Sequence, residues 1–200
     1  MEKVHEMVVK CIEVLDPEIE IQFEDVPAGY SLPDKKQIIL PLYQYDFLMI
    51  FRAALREVAH VLFSTKVPEC NLEYEVSMSL DTIEQSFVSY HFCQRFPKFE
   101  VTLNRFYKEG ITGATVGGVI GADDFWKELE YALFDVDVAE GCNSERYKKL
   151  YDSGIIHELW ELIQTAKSTE ELIPGAESLV QRFKDLNMDF PCIDRIHTPQ

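Results

Sequence analysis

The sequence predicts an α+β fold that is mostly α, with a small antiparallel sheet, two central helices and a C-terminal helical part. Three observations predict it. IEIQFE (19–24) alternates apolar and polar residues as a half-buried strand does, and QIILPL (37–42) is a second short apolar run. Residues 44–64 and 72–95 repeat apolar side chains at helical spacing over lengths typical of helices. Beyond residue 122, capping signals introduce one helical pattern after another.

In chain order, Val4, Met7, Val8, Cys11, Ile12 and Leu15 follow the i, i+3, i+4, i+7 rule, so residues 2–16 read as a helix closed by Asp16-Pro17. The strands 19–24 and 37–42 flank PAGYSLPDKK, a turn-rich link with two prolines and a glycine. They are expected to pair antiparallel, as a hairpin with a long loop. In 44–64, Phe47, Leu48, Phe51, Ala54, Leu55, Val58, Ala59 and Leu62 make an apolar face wide enough for a central helix. KVPECN interrupts the pattern. The second central helix, 72–95, carries Leu72, Val76, Leu80, Ile83, Phe87 and Tyr90 on one stripe and stops at Phe96-Pro97. FEVTLNRFYKE reads as a further short helix.

GITGATVGGVIGA (110–122) places Gly113, Gly117 and Gly121 four residues apart, a spacing that serves close helix packing or a flexible link. It lacks the G-K-[ST] ending of a phosphate loop. It separates a first domain, 1–109, from a helical part, 123–190, that ends in a tail, 191–200. In the helical part Asp123 or Asp124 caps a helix to about Phe134, and further helices cover 144–151 and 154–166. Ser168-x-x-Glu171 has the spacing of a capping box, and Pro174 can open a last helix to about Leu186.

Composition bounds function. Of the 200 residues, 46% are hydrophobic and 12% aromatic, enough for a core and against disorder. The formal net charge of −16 provides no basic face for a phosphate backbone, so direct nucleic-acid binding is not expected. It suits a solvated surface or a partner that is itself basic. Five cysteines, Cys11, Cys70, Cys93, Cys142 and Cys192, are odd in number and widely spaced, without a C-x-x-C. They read as reduced thiols of a cytoplasmic protein. The N-terminal pattern is acidic and amphipathic rather than that of a signal peptide, and no run approaches 18 apolar residues, so no membrane span is expected.

The chemistry-bearing stretch is IFRAALREVAHVLFSTK. Its REVAH, residues 56–60, differs by one letter from H-E-x-x-H. In that motif two histidines four residues apart share a helix face and an ion, and the Glu acts on the metal-bound water. Here Arg56 stands at the first ligand position, Glu57 at the base and His60 at the second ligand. A third ligand is available on the next helix: Glu84 lies 24 residues after His60, with Asp81 one turn before it and His91 seven residues beyond. The same E-x-x-H spacing also serves as a satisfied polar pair in a core. His5-Glu6 and His157-Glu158-Leu-Trp-Glu161 show how cheaply such pairs arise.

The run from residue 19 to about 107 resembles the metallopeptidase-like domain of the cobaltochelatase CobT-like proteins of bacteria, plasmids and large phages. The family's I-x-L-P, H-E-x-x-H-V-x-F-T, E-D-x-R-I-E and F-P correspond here to QIILP, REVAHVLFST, IEQSFVSY and QRFPKF, in the same order and with similar spacing. The resemblance implies a zincin-like core and an association with MoxR-type AAA+ ATPases. It departs at Arg56, at Gln85 and in the absence of a downstream D-x-S-x-S, so no von Willebrand metal site is expected.

With His60 and Glu84 alone, and a guanidinium beside the gap, tight zinc binding is not expected. Arg56 is expected instead to pair with Glu84 and Glu57 in an ion cluster that fixes two helices. Three functions remain open. One is a catalytically impaired metallopeptidase-like protein acting as a binding or adaptor module, with an AAA+ ATPase as the implied partner. Another is an unorthodox metal-dependent peptidase or hydrolase in which His60, Glu84 and His91 hold zinc and Glu57 is the base. The last is an acidic, phage-type interaction or inhibitor protein that covers a basic partner surface.

Overall fold

The computed structural model describes residues 2–43, 46–65, 72–102, 122–134 and 144–191. It is mostly helical with one small sheet. Its contacts divide it into two compact units. One is Met1–Val67 with Val88–Leu103, and the other is Pro68–Phe87 with Asn104–Gln200. The predicted linker at 110–122 lies, except for Ala122, outside the described residues, as do most of the expected helix in FEVTLNRFYKE and the tail beyond Pro191.

The first unit opens with α1 (Glu2–Leu15), which buries Val8 and Ile12. Three strands follow: β1 (Glu20–Glu24), β2 (Tyr30–Leu32) and β3 (Gln37–Pro41). The sheet order is β1-β3-β2. β1 pairs with β3 in parallel, Ile21 opposite Ile38 and Phe23 opposite Leu40, while β2 pairs with β3 antiparallel, Tyr30 opposite Ile39. The expected antiparallel pairing of the two outer segments is therefore corrected to a mixed sheet. The physical reason lies inside the supposed link. Tyr30–Leu32 is a strand in its own right, and the single turn at Pro33–Lys35 folds it back as a hairpin partner of β3. The flanking Pro27, Gly29 and Pro33 disguised three strand residues as loop. β3 is central, which explains why Ile38, Ile39 and Leu40 are all buried rather than alternating.

Asp46 starts α2 (Phe47–Phe63), its carboxylate accepting from the backbone N–H groups of Leu48 (2.8 Å) and Met49 (3.1 Å). α2 packs on α1 and across β2 and β3. Beside it, Phe51 meets Phe99, and Phe99 meets Phe92, tying α2 to the end of α3 (Tyr74–Arg95). Phe96-Pro97 ends α3 as predicted.

α3 supplies residues to both units. The sequence reading placed all of it in the first domain, whereas its residues up to Phe87 group with the C-terminal helices. Those helices are α4 (Ala122–Phe134), α5 (Glu145–Asp152), α6 (Ile155–Thr165) and α7 (Ile173–Asp185). Leu129, Leu133, Leu150, Leu159, Ile163, Leu179 and Phe183 form their core. α6 and α7 approach so closely that a Cβ on Gly175 would lie 2.5 Å from Leu162 Cδ2. Pro174 opens α7 as predicted. The expected capping box at 168–171 is not seen: the Ser168 side chain makes no cap bond, and Glu171 accepts instead from the Lys167 N–H at 2.9 Å.

Candidate functional site

α2 is where the predicted chemistry concentrates. Its apolar face turns toward α1 and the sheet, yet four of its residues around the motif are polar, and three of these are buried: Arg52 (6% exposed), Glu57 (8%) and His60 (9%). The fourth, Arg56, is exposed. The pairing expected of Arg56 with Glu57 and Glu84 would thus involve an exposed guanidinium. The buried guanidinium on this helix is Arg52, one turn earlier. Its sequence signal was weak, since an arginine among Phe51, Ala53 and Ala54 reads equally well as the helix's wet edge.

His60 is held by its own helix. Its Nδ1 lies 2.8 Å from Ser64 Oγ, and the Ser64 N–H donates to the His60 carbonyl at 2.9 Å, closing the last turn. Ser64 is the residue after Phe63 in the motif's tail, and the i, i+4 spacing signals this contact. Glu57 faces the loop that leads into β2. A Cβ on Gly29 would stand 3.7 Å from Glu57 Cγ and 3.2 Å from both the Ile39 carbonyl and Leu40 Cδ2. Glycine at 29 therefore lets that loop close over Glu57 and the central strand.

The two expected partners on α3 lie in different surroundings. Glu84 belongs to the second unit, where its Oε1 accepts from Thr169 Oγ1 at 2.7 Å. Thr169 is almost wholly buried, and the sequence offered no reason to connect it with Glu84, 85 residues away. His91 belongs to the first unit, half-buried, with its ring 6.0 Å from that of Phe63 and edge-on to Tyr90 at 5.3 Å. Glu84 and His91 are seven residues apart on one continuous helix, about 10 Å along its axis.

A resident zinc ion would need three protein ligands around one point. Among the described residues, no three His, Cys, Asp or Glu side chains are grouped to hold a metal ion. The donor set at the motif has a cation at one ligand position, and its acidic candidate is engaged by Thr169. Also among the described residues, no helix is long and apolar enough to cross a membrane.

Comparison with protein-family models, with curated proteins and with solved structures returns no match for the chain.

Proposed function

We propose that the chain is a metallopeptidase-like protein that has exchanged catalysis for binding, an adaptor built on a zincin-like core. The partner implied by its resemblance is a MoxR-type AAA+ ATPase. The observation that carries this reading is the donor set of α2 and α3. Arg56 presents an exposed cation at the first ligand position, while Glu57 and His60 are buried and Glu84 accepts from Thr169. Such an arrangement fits a helix kept for packing better than a helix kept for a metal-bound water. Elemental analysis of protein purified without chelators tests it: substoichiometric metal is expected, and one tightly held zinc per chain overturns it. Should metal be found, its loss in His91→Ala but not in His197→Ala would favour the hydrolase that uses His60, Glu84 and His91.

A second reading has its own observation. The sequence of the second unit holds 23 of the 35 acidic and 10 of the 19 basic residues, so 23 − 10 gives it −13 of the chain's −16. The excess acidity is thus a property of the helical unit rather than of the whole chain. An acidic interaction protein would bind a basic partner through this unit. The complex would weaken steeply as salt is raised across the range where the Debye length falls below about 10 Å. A pull-down from the native host at rising ionic strength distinguishes this from an adaptor held by apolar contacts.

A further inference from the structure

The second unit ends on a feature that neither reading uses. After α7, Asn187 takes the left-handed conformation (φ 49°), and the Met188 N–H donates to the Phe183 carbonyl at 2.9 Å, turning the chain back across the helices. Phe190 then lies between two aromatic rings, 5.2 Å from Trp126 and 5.3 Å from Phe183, the latter edge-to-face. Phe125 stands behind both, in T-shaped contact with each at 5.2 and 5.7 Å. The Trp126 indole Nε1–H donates to the Pro191 carbonyl at 2.9 Å. Pro191 is buried and Phe190 half-buried, while Asn187 and Asp189 are exposed.

The seat therefore recognises three things: an aromatic ring, a proline without an N–H to satisfy, and the carbonyl that follows. A residue before proline is confined to extended conformations, so little entropy is lost on docking. Aromatic grooves that take proline-containing segments use the same chemistry. The strap itself has no helix or strand, and one side chain–backbone hydrogen bond anchors its far end. Irregular segments beside a terminal helix are where local opening, short of global unfolding, concentrates.

We propose that the Trp126 seat is a peptide-binding site for extended aromatic–proline segments, held closed in the isolated chain by its own residues 187–191. The strap is an intramolecular competitor whose short tether gives it a high effective concentration. A partner carrying an exposed aromatic–proline segment displaces it. This inference does not rest on the reading of α2, and it stands or falls separately.

The test uses the full chain carrying Trp160→Phe, so that Trp126 alone reports fluorescence, with and without Phe190→Ala. An acetylated, amidated peptide of residues 187–191 is titrated into each. The Phe190→Ala chain should show a saturable change in Trp126 emission at a peptide concentration lower by about tenfold or more than the parent requires. The same peptide with its Phe replaced by Ala should give none. Equal binding by both chains, or no saturable change in a Phe190→Ala chain with parental circular dichroism, overturns the proposal. Exchange of the Trp126 indole proton in the unmodified chain covers the case in which the variant fails to fold. Exchange through local opening, insensitive to low denaturant, is expected, and exchange only through global unfolding overturns it.

Discussion

Ser144 donates twice to Glu128, through its backbone N–H to Oε1 at 2.9 Å and through its hydroxyl to Oε2. The same hydroxyl oxygen accepts from the Tyr147 N–H at 3.1 Å, so the N-cap of α5 is itself held by a buried carboxylate of α4. A negative charge at this end of α5 also meets the positive end of the helix dipole. Hydrogen bonds to a charged group are the stronger kind. Glu128→Gln should therefore lower stability by about 1–3 kcal/mol, and Ser144→Ala by a similar amount, in urea unfolding followed by circular dichroism. Because the two residues act as one unit, the double variant should cost less than the sum. Strict additivity would show that they do not cooperate.

Chemically identical substitutions on α3 should act in opposite directions. Ser79 Oγ is wholly buried, with no hydrogen-bond partner among the described residues. Ser86, equally buried, donates to the Glu130 carbonyl of α4 at 2.9 Å. A buried hydroxyl with no partner costs its full desolvation. Ser79→Ala should leave stability unchanged or raise it by about 1 kcal/mol, and Ser86→Ala should lower it by about as much. A measured loss for Ser79→Ala as large as that for Ser86→Ala would show that Ser79 has a partner after all.

α3 also shows how far the sequence could be read. Its existence and limits, like those of α1, α2 and α5–α7, follow from apolar spacing and caps, because those signals are local. What escaped was its second buried side. Ser79, Thr82, Ser86 and Ser89 are buried beside the predicted apolar stripe, although none of them belongs to it. Small hydroxyl side chains can be buried because they return their protons to the preceding turn, as Thr82 does to the Met78 carbonyl. The mixed sheet escaped for a related reason. β2 is three residues long, and its identity comes from pairing with β3 rather than from its own pattern. At the candidate site, Glu57 and His60 were legible from a motif, while Arg52 and Thr169 were not, since burial of a polar side chain is settled by tertiary contacts.

His5 makes the stability of the first unit depend on pH. Its ring stacks on Phe23 of β1, 3.9 Å between centroids and nearly parallel, and its Nε2 is buried without a hydrogen-bond partner among the described residues. Burial foremost, then the positive amino terminus, holds its pKa below the ordinary imidazole value. The folded state therefore prefers neutral His5. The unfolded chain takes up the proton first, near pH ~6.5, so the stability tied to neutral His5 is complete above that pH. It is lost as pH falls through the lowered folded value. Replacing the imidazole by a ring that cannot titrate, His5→Phe, should flatten this part of the curve as pH falls below the ordinary imidazole value. Parallel curves for the parent and His5→Phe would remove His5 from the account.

The two described thiols should differ in reactivity. Cys93 is buried in α3, and burial foremost, then the Glu100 carboxylate, pushes its pKa up to about 12. The thiolate is the nucleophile, so Cys93 has almost none to offer near neutral pH. Cys11 on α1 is partly exposed. In a chain with Cys70, Cys142 and Cys192 changed to Ser, a disulfide reagent at pH ~8 should modify Cys11 promptly and Cys93 only on unfolding. Prompt release of two equivalents from the native chain would contradict the burial of Cys93.

The last prediction concerns the one-letter difference at the motif. Arg56 and His60 are four residues apart on α2, the spacing at which two histidines share an ion. If Arg56 is what weakens metal binding there, removing its charge and restoring a ligand should have separable effects. Arg56→Ala removes only the cation and should change zinc affinity little. Arg56→His adds an imidazole one turn from His60 and should tighten zinc binding by about tenfold or more, a gain that His60→Ala in the same chain abolishes. The site should still fall short of a catalytic one, because Glu84 remains engaged by Thr169 in the second unit. Titration against a fluorescent zinc indicator reads all three variants. Equal affinity in Arg56→Ala and Arg56→His would mean that α2 does not present residue 56 alongside His60 to a shared ion, and the metallopeptidase-like reading of this helix would lose its main support.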